Sequence, residues 1–166
     1  TPPLTRLPAP CRAVRANAEY VPPYGSGGSM YIRPFLVGSG PILGLQPCNE
    51  FQLMVSVTPV GNYFGKGGLK GIHANVMVDF DRAAPHGTGD VKAGGNYAAD
   101  LLPLKQAKEE GFGTTLYLDC NERKYIEEFS VSNFLGISAS GAYVTPSSGS
   151  ILPSITNQML MQLARD

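Results

Sequence analysis

The chain has 166 residues, enough for one ordinary domain or a piece of something larger, and its 43% hydrophobic content is enough for a core. Thirteen basic and thirteen acidic residues cancel, so neither nucleic acid nor an anionic membrane is an expected partner. Three scattered cysteines and two histidines are too few for a disulfide framework or most His-based metal sites, and they favour a reducing, cytoplasmic setting (mitochondrial as the alternative).

Residues 1–29 are rich in proline, glycine and small polar residues and read as a connector, with at most one short helix around Arg12 to Ala18. A mixed α/β domain is expected over 30–166. Met30 to Val37 reads as a strand, provided Pro34 sits where no ladder donor is needed. Phe51 to Val57 is a second strand, ending in a turn at Pro59 to Gly61, and Lys70 to Val78 a third, with Arg82 just beyond it. Ala98 to Glu110 is expected to be a helix, bent by Pro103 and closed by Gly111. Thr114 to Asp119 and Tyr125 to Val131 form a hairpin around Asn121-Glu122-Arg123-Lys124. Asn133 to Ala139 and Ala142 to Thr145 pair through Ser140-Gly141. A last helix runs from Ile155 to Ala164, with Pro153 placed to start it.

The run Gly89-Asp90-Val91-Lys92-Ala93-Gly94-Gly95-Asn96-Tyr97 is the most informative stretch. Two glycines after a lysine offer unusual backbone angles and close approach by a bulky ligand. A lysine held at such a turn and partly shielded from water can act as an amine nucleophile toward a carbonyl. The same run also suits a solvated loop lysine. Glu128, on the hairpin strand, could pair with a pyridine nitrogen; it could equally be a surface charge, and Glu127 competes with it because adjacent strand residues face opposite sides. The approach to the last helix, Ile151 to Asn157, offers unpaired backbone N–H groups and the Thr156 hydroxyl to a phosphate. Tyr31-Ile32-Arg33-Pro34 brings an aromatic hydroxyl and a guanidinium to one strand.

Taken in order and spacing, these motifs (Tyr31 to Pro34, Lys92 to Tyr97, Glu127 to Asn133, Ile151 to Thr156) resemble the branched-chain aminotransferases, class IV (fold type IV) enzymes that use pyridoxal 5'-phosphate. The resemblance runs from about Tyr20 to the last residue. It implies the large, cofactor-binding domain of that fold, and transfer of the amino group of leucine, isoleucine or valine to 2-oxoglutarate. It implies roles too: Lys92 as the Schiff-base and proton-shuttling lysine, Tyr97 on the cofactor's phenolic oxygen, and Glu128 on its pyridine nitrogen, with Asn133 at the family's spacing. Ile155 and Thr156 would hold the phosphate, Arg82 would lie near the cofactor, and Tyr31 would line the substrate pocket.

Some positions depart from the family. Ser130 and Val131 stand where relatives usually carry Gly and Thr, Ser154 where they carry Gly, and Asn157 where they carry Arg. Family chains are also longer at both ends. The resemblance therefore implies a truncated chain, expected to be a homodimer or to work beside a partner chain, with an uncovered apolar face on the last helix. Two alternatives stay open: a catalytically weak or inactive relative acting as a binding or structural partner, and a sister activity such as a D-amino-acid transaminase or a lyase.

Overall fold

The computed structural model describes residues 8–63 and 70–166, so the first seven residues of the expected connector lie outside the described residues. The chain divides into two compact units, Thr1–Leu69 and Lys70–Asp166. In the first, helix α1 (Ala9–Ala16) lies against the ribbon formed by β1 (Ser29–Ser39) and β2 (Glu50–Val60). The helix starts three residues earlier than expected, through Pro8-Ala9-Pro10. Prolines are tolerated there because the first turn has no partners for its N–H groups.

Strands β1 and β2 pair antiparallel over their full length, from Ser29↔Val60 to Ser39↔Glu50. Pro59, expected in a turn, instead pairs with Met30, and Pro34 pairs with Val55. A two-stranded ribbon leaves each strand one unpaired edge, so a residue without an N–H is accommodated.

In the second unit, β3 (Ala74–Met77) runs parallel to β4 (Thr114–Leu118), and β4 runs antiparallel to β5 (Ile126–Phe129). Helix α2 (Gly94–Glu109) makes the crossover between the parallel pair. This is a mixed α/β arrangement, as the sequence predicts. β3 is shorter than expected, since Lys70 to His73 stay outside the ladder. β4 is the central strand, with Thr115 and Tyr117 completely enclosed.

α2 begins at Gly94, four residues before the expected start. Poor helix propensity pointed to a turn at the double glycine. What overrides it is Asn96: its side-chain amide donates to the Thr88 and Val91 carbonyls (2.6 and 2.9 Å) and fixes the entry of the chain. The helix continues through Pro103, which is buried, and ends where Gly111 takes a left-handed φ of 92°. That conformation lets the Gly111 and Phe112 N–H groups reach the Lys108 and Ala107 carbonyls.

The α2 face toward β4 carries an acid. Asp100, 3% exposed, accepts hydrogen bonds from the hydroxyls of Thr115 (3.1 Å), Tyr117 (2.5 Å) and Ser130. Burial, and then Asp100 beside it, pushes the Tyr117 phenol well above its ordinary value. A second acid organises the hairpin turn: Asp119 accepts from the backbone N–H groups of Glu122, Lys124 and Tyr125 at 2.7–2.8 Å, while Arg123 sits at φ 52°. Beyond β5, the short strands β6 (Gly136–Ile137) and β7 (Tyr143–Val144) turn at Gly141. Helix α3 (Ile155–Leu163) is capped by Ser154, which accepts from the Asn157 N–H at 3.1 Å. Pro153 precedes that cap rather than opening the helix. The expected apolar face of α3 is exposed at Ile155, Met159, Leu160 and Leu163.

Two outcomes follow for the second unit. Asp100→Ala strands three buried hydroxyl donors and should lower unfolding stability by roughly 2–4 kcal/mol in urea denaturation; a loss under about 0.5 kcal/mol would show that the hydroxyls re-pair without it. The Asp119 carboxyl is held down at about 2 by its backbone N–H bonds. A lowered folded-state value means that its contribution is present above about pH 4 and lost as the pH falls toward 2. The amide signals of Glu122, Lys124 and Tyr125 should therefore titrate together near pH 2 by NMR, and a midpoint near 4 would show that the turn does not depend on this carboxyl.

Candidate active site

The loop from β3 to α2 is threaded close to the segment before α3. Gly89 lies against Ser150 so tightly that a Cβ there would overlap the Ser150 carbonyl. The same carbonyl accepts a hydrogen bond from Arg82 Nη2, which also reaches the Gly89 carbonyl at 3.3 Å. Arg82 (8% exposed) thereby joins three chain segments, because its guanidinium also meets Glu128 Oε1 at 2.5 Å. That contact lacks hydrogen-bond alignment, and Arg82 Nε has no hydrogen-bond partner among the described residues.

Beside this core opens a cavity of about 620 Å³. Seven of the eight residues expected in a site belong to this unit, and all seven (Arg82, Lys92, Tyr97, Glu128, Asn133, Ile155 and Thr156) line the cavity. Lys92 Nζ contacts the Tyr97 hydroxyl and lies 4.9 Å from the centre of its ring. Of the two readings the sequence left open for Lys92, shielded or solvated, the structure shows the solvated one, with the side chain exposed just before the first turn of α2. Gly94 and Gly95 adopt helical angles without positive φ, with open space around each. They leave room beside Lys92 and supply no unusual turn. Tyr31 lies in the first unit, on β1, where its hydroxyl accepts from Arg33 at 3.1 Å.

Glu128 is 4% exposed on β5, and its Oε2 accepts from Asn133 Nδ2 at 3.2 Å. Asn133 also donates to the Leu152 carbonyl at 3.0 Å, which ties β5 to the approach of α3. Burial pushes the Glu128 carboxyl above the usual range, opposed first by the Arg82 guanidinium and then by a hydrogen bond from the Leu152 backbone. Desolvation outweighs the ion pair even at close contact. Glu127, expected on the opposite side of the strand, is indeed turned from the cavity, but it is not a surface charge. It is 6% exposed, and its Oε1 accepts from the hydroxyls of Ser148 (2.9 Å) and Ser150 (2.6 Å).

Sequence reading named Gly89 only as the start of the lysine run, and missed Ser150 and Asp100. Ser130, which departs from the family at a cavity position, turns its hydroxyl onto Asp100. The only sequence signal for Ser150 is the turn-rich run Ser147-Ser148-Gly149-Ser150, which reads as an ordinary loop until Arg82 is seen against it.

The second unit is thus a mixed α/β fold with a helical crossover that gathers a lysine, a buried carboxylate and a helix start around one cavity. The chain belongs to the amino-transferase class IV family, whose model matches residues 11–166. It is 48% identical over 161 residues to a branched-chain-amino-acid aminotransferase of Helicobacter pylori, covering 96% of this chain and 47% of the relative. It is 47% identical to that of Haemophilus influenzae, covering 92% of this chain and 46% of the relative. The chain thus spans about half the length of the curated relatives it matches. The branched-chain amino acid aminotransferase of Escherichia coli superposes with a TM-score of 0.79 at 30% identity, over 95% of this chain and 49% of that one. A second solved branched-chain amino acid aminotransferase, from T.th. and with pyridoxamine 5'-phosphate, superposes at 0.73 and 27% identity, over 92% of this chain and 48% of that one.

The glycines of the lysine loop should respond differently to substitution. Gly89→Ala forces the Ser150 backbone away from Arg82 and should cost roughly 1–3 kcal/mol of stability. Gly94→Ala and Gly95→Ala meet open space at helical angles and should leave stability unchanged or raise it by up to about 1 kcal/mol. Thermal melts followed by circular dichroism compare the three, and a tolerated Gly89→Ala would refute the close packing.

Proposed function

We propose that this cavity is a pyridoxal-phosphate site and that the protein transfers the amino group of a branched-chain amino acid to 2-oxoglutarate. The observation that carries this reading is the placement of Lys92, Glu128 and the Ser154-Ile155-Thr156 helix start around one cavity. An amine, a buried carboxylate and free helix-end donors match the aldehyde, ring nitrogen and phosphate of one small molecule. The fit is supported by Glu128 Oε1, a buried oxygen on the cavity wall that meets the Arg82 guanidinium but makes no hydrogen bond among the described residues, and so keeps acceptor capacity for a ring N–H. Homodimeric assembly and a cytoplasmic setting belong to the same reading and rest on the family resemblance and the sparse cysteines.

When bound, the cofactor supplies an aldehyde for amine exchange and a ring that withdraws electrons from the substrate's Cα. The protein's residues do the rest. Lys92 Nζ, beside the Tyr97 hydroxyl, would take the Cα proton and deliver it to the carbon that had been the cofactor's aldehyde. Tyr97 aims that amine through its hydroxyl contact. Glu128, held by Arg82 and Asn133, would keep a proton on the ring nitrogen. At the far end, the backbone N–H groups of Ile155 and Thr156 and the Thr156 hydroxyl bind phosphate, aided by the positive end of α3.

Borohydride reduction after addition of pyridoxal phosphate should place the label on Lys92 by peptide mapping; a label on Lys66, Lys70 or Lys105 instead overturns the assignment. Lys92→Ala should lower leucine-dependent glutamate production by at least about 100-fold. Glu128→Ala removes a charge-assisted contact worth about 1.5–3 kcal/mol, and should weaken cofactor binding by about 10- to 150-fold in a fluorescence titration.

A further inference from the structure

We propose that Glu127, a buried acid outside the cavity, is a positioning residue that holds Arg82, and through it Glu128, by clamping the Ser148–Ser150 segment. The inference rests on the pyridoxal-phosphate reading of the cavity. Its geometric links all lie in the second unit. Glu127 Oε1 accepts both serine hydroxyls, at 2.9 and 2.6 Å, and the two hydroxyls lie 2.7 Å from each other. Ser148 Oγ in turn accepts the Ser150 N–H at 3.1 Å, so the segment is pinned by side chain and backbone together. Ser150, 2% exposed, presents its carbonyl to Arg82 Nη2, and Gly89 closes the far side. Arg82 then meets Glu128 at 2.5 Å.

A charged side chain is expensive to bury without a purpose for its geometry. Glu127 makes no contact with the cavity, yet it sits one residue from the acid that lines it. Its negative charge alone works against Glu128, because like charges disfavour ionisation. Its clamp works the other way, by keeping the guanidinium in place. The charged groups acting on Glu128 are Arg82 from the loop after β3, Lys92 from the loop before α2 and Glu127 from β5 itself, and Arg82 has the largest effect of the three. The clamp thus acts on Glu128 through Arg82, the larger of the two influences, and fixes the orientation in which Arg82 meets it.

The two effects separate by substitution. Glu127→Gln keeps an acceptor oxygen for the serines and removes the charge, whereas Glu127→Ala removes both. Pyridoxal phosphate affinity, measured by absorbance titration, should stay within about threefold of wild type in Glu127→Gln and weaken about tenfold or more in Glu127→Ala. In a Glu128→Gln background the Glu127→Ala effect should vanish, because residues acting through one contact are non-additive. Ala107→Gly, a buried helix change away from the cavity, serves as the control: it lowers stability and leaves affinity unchanged. Equal weakening by Glu127→Gln and Glu127→Ala, or an undiminished effect without Glu128, overturns the proposal. If wild type binds no pyridoxal phosphate, the cofactor reading falls, and the clamp is decided in ligand-free protein by carbon-detected NMR titration of the Glu128 carboxyl. Its midpoint should lie higher in Glu127→Ala than in Glu127→Gln; equal midpoints refute the clamp.

Discussion

The second unit depends on one buried carboxylate. Asp100 sits on the inner face of α2, the helix that begins just after Lys92, and binds hydroxyls from β4 and from Ser130 at the end of β5. A helix can slide or rotate on a sheet when only apolar contacts hold it. Three hydrogen bonds to one carboxylate allow one register, because any shift would strand buried donors. The helix that starts behind Lys92 and the strand that carries Glu128 are thereby locked to each other. The distance across the cavity is set largely from below, by Asp100, Thr115 and Tyr117, none of which lines it.

A second layer of polar contacts shapes the cavity wall. Arg82, Gly89, Ser150 and Asn133 bring together three loops with little regular structure of their own, and they do so largely through backbone carbonyls. Carbonyls carry no sequence information, and the side chains that find them are donors: one arginine and one asparagine. The Gly89 contact explains why the loop can come this close. Burial raises the Glu128 carboxyl while Arg82 and the Leu152 amide lower it, and this balance gives a group sensitive to small changes in its surroundings.

Regular elements with strong local signals were legible in advance. The hairpin around Asn121 to Lys124, the glycine-closed end of α2 and the turn at Ser140-Gly141 appear where pattern and turn chemistry place them. Boundaries failed where a distant partner supplied what local propensity lacked. Asn96 draws α2 back to Gly94, β1 extends β2 through Pro59, and the short β3 stops at the length that β4 can pair. Whether Lys92 is sheltered or open stayed undecided in the sequence, because shielding is a property of surrounding elements and cannot be read from a turn.

From the sequence alone came the family resemblance, the candidate residues it implies, and, through the family's spacing to Asn133, the choice of Glu128 over Glu127, since motif spacing is local and survives without coordinates. Only the tertiary structure showed that Glu127 is buried as deeply as its neighbour, that Ser150 and Gly89 hold Arg82, and that Asp100 joins helix to sheet. Each of these depends on residues 7 to 68 positions apart meeting in space. Such meetings follow from how the whole chain packs, and no window of sequence contains both partners and the reason they touch.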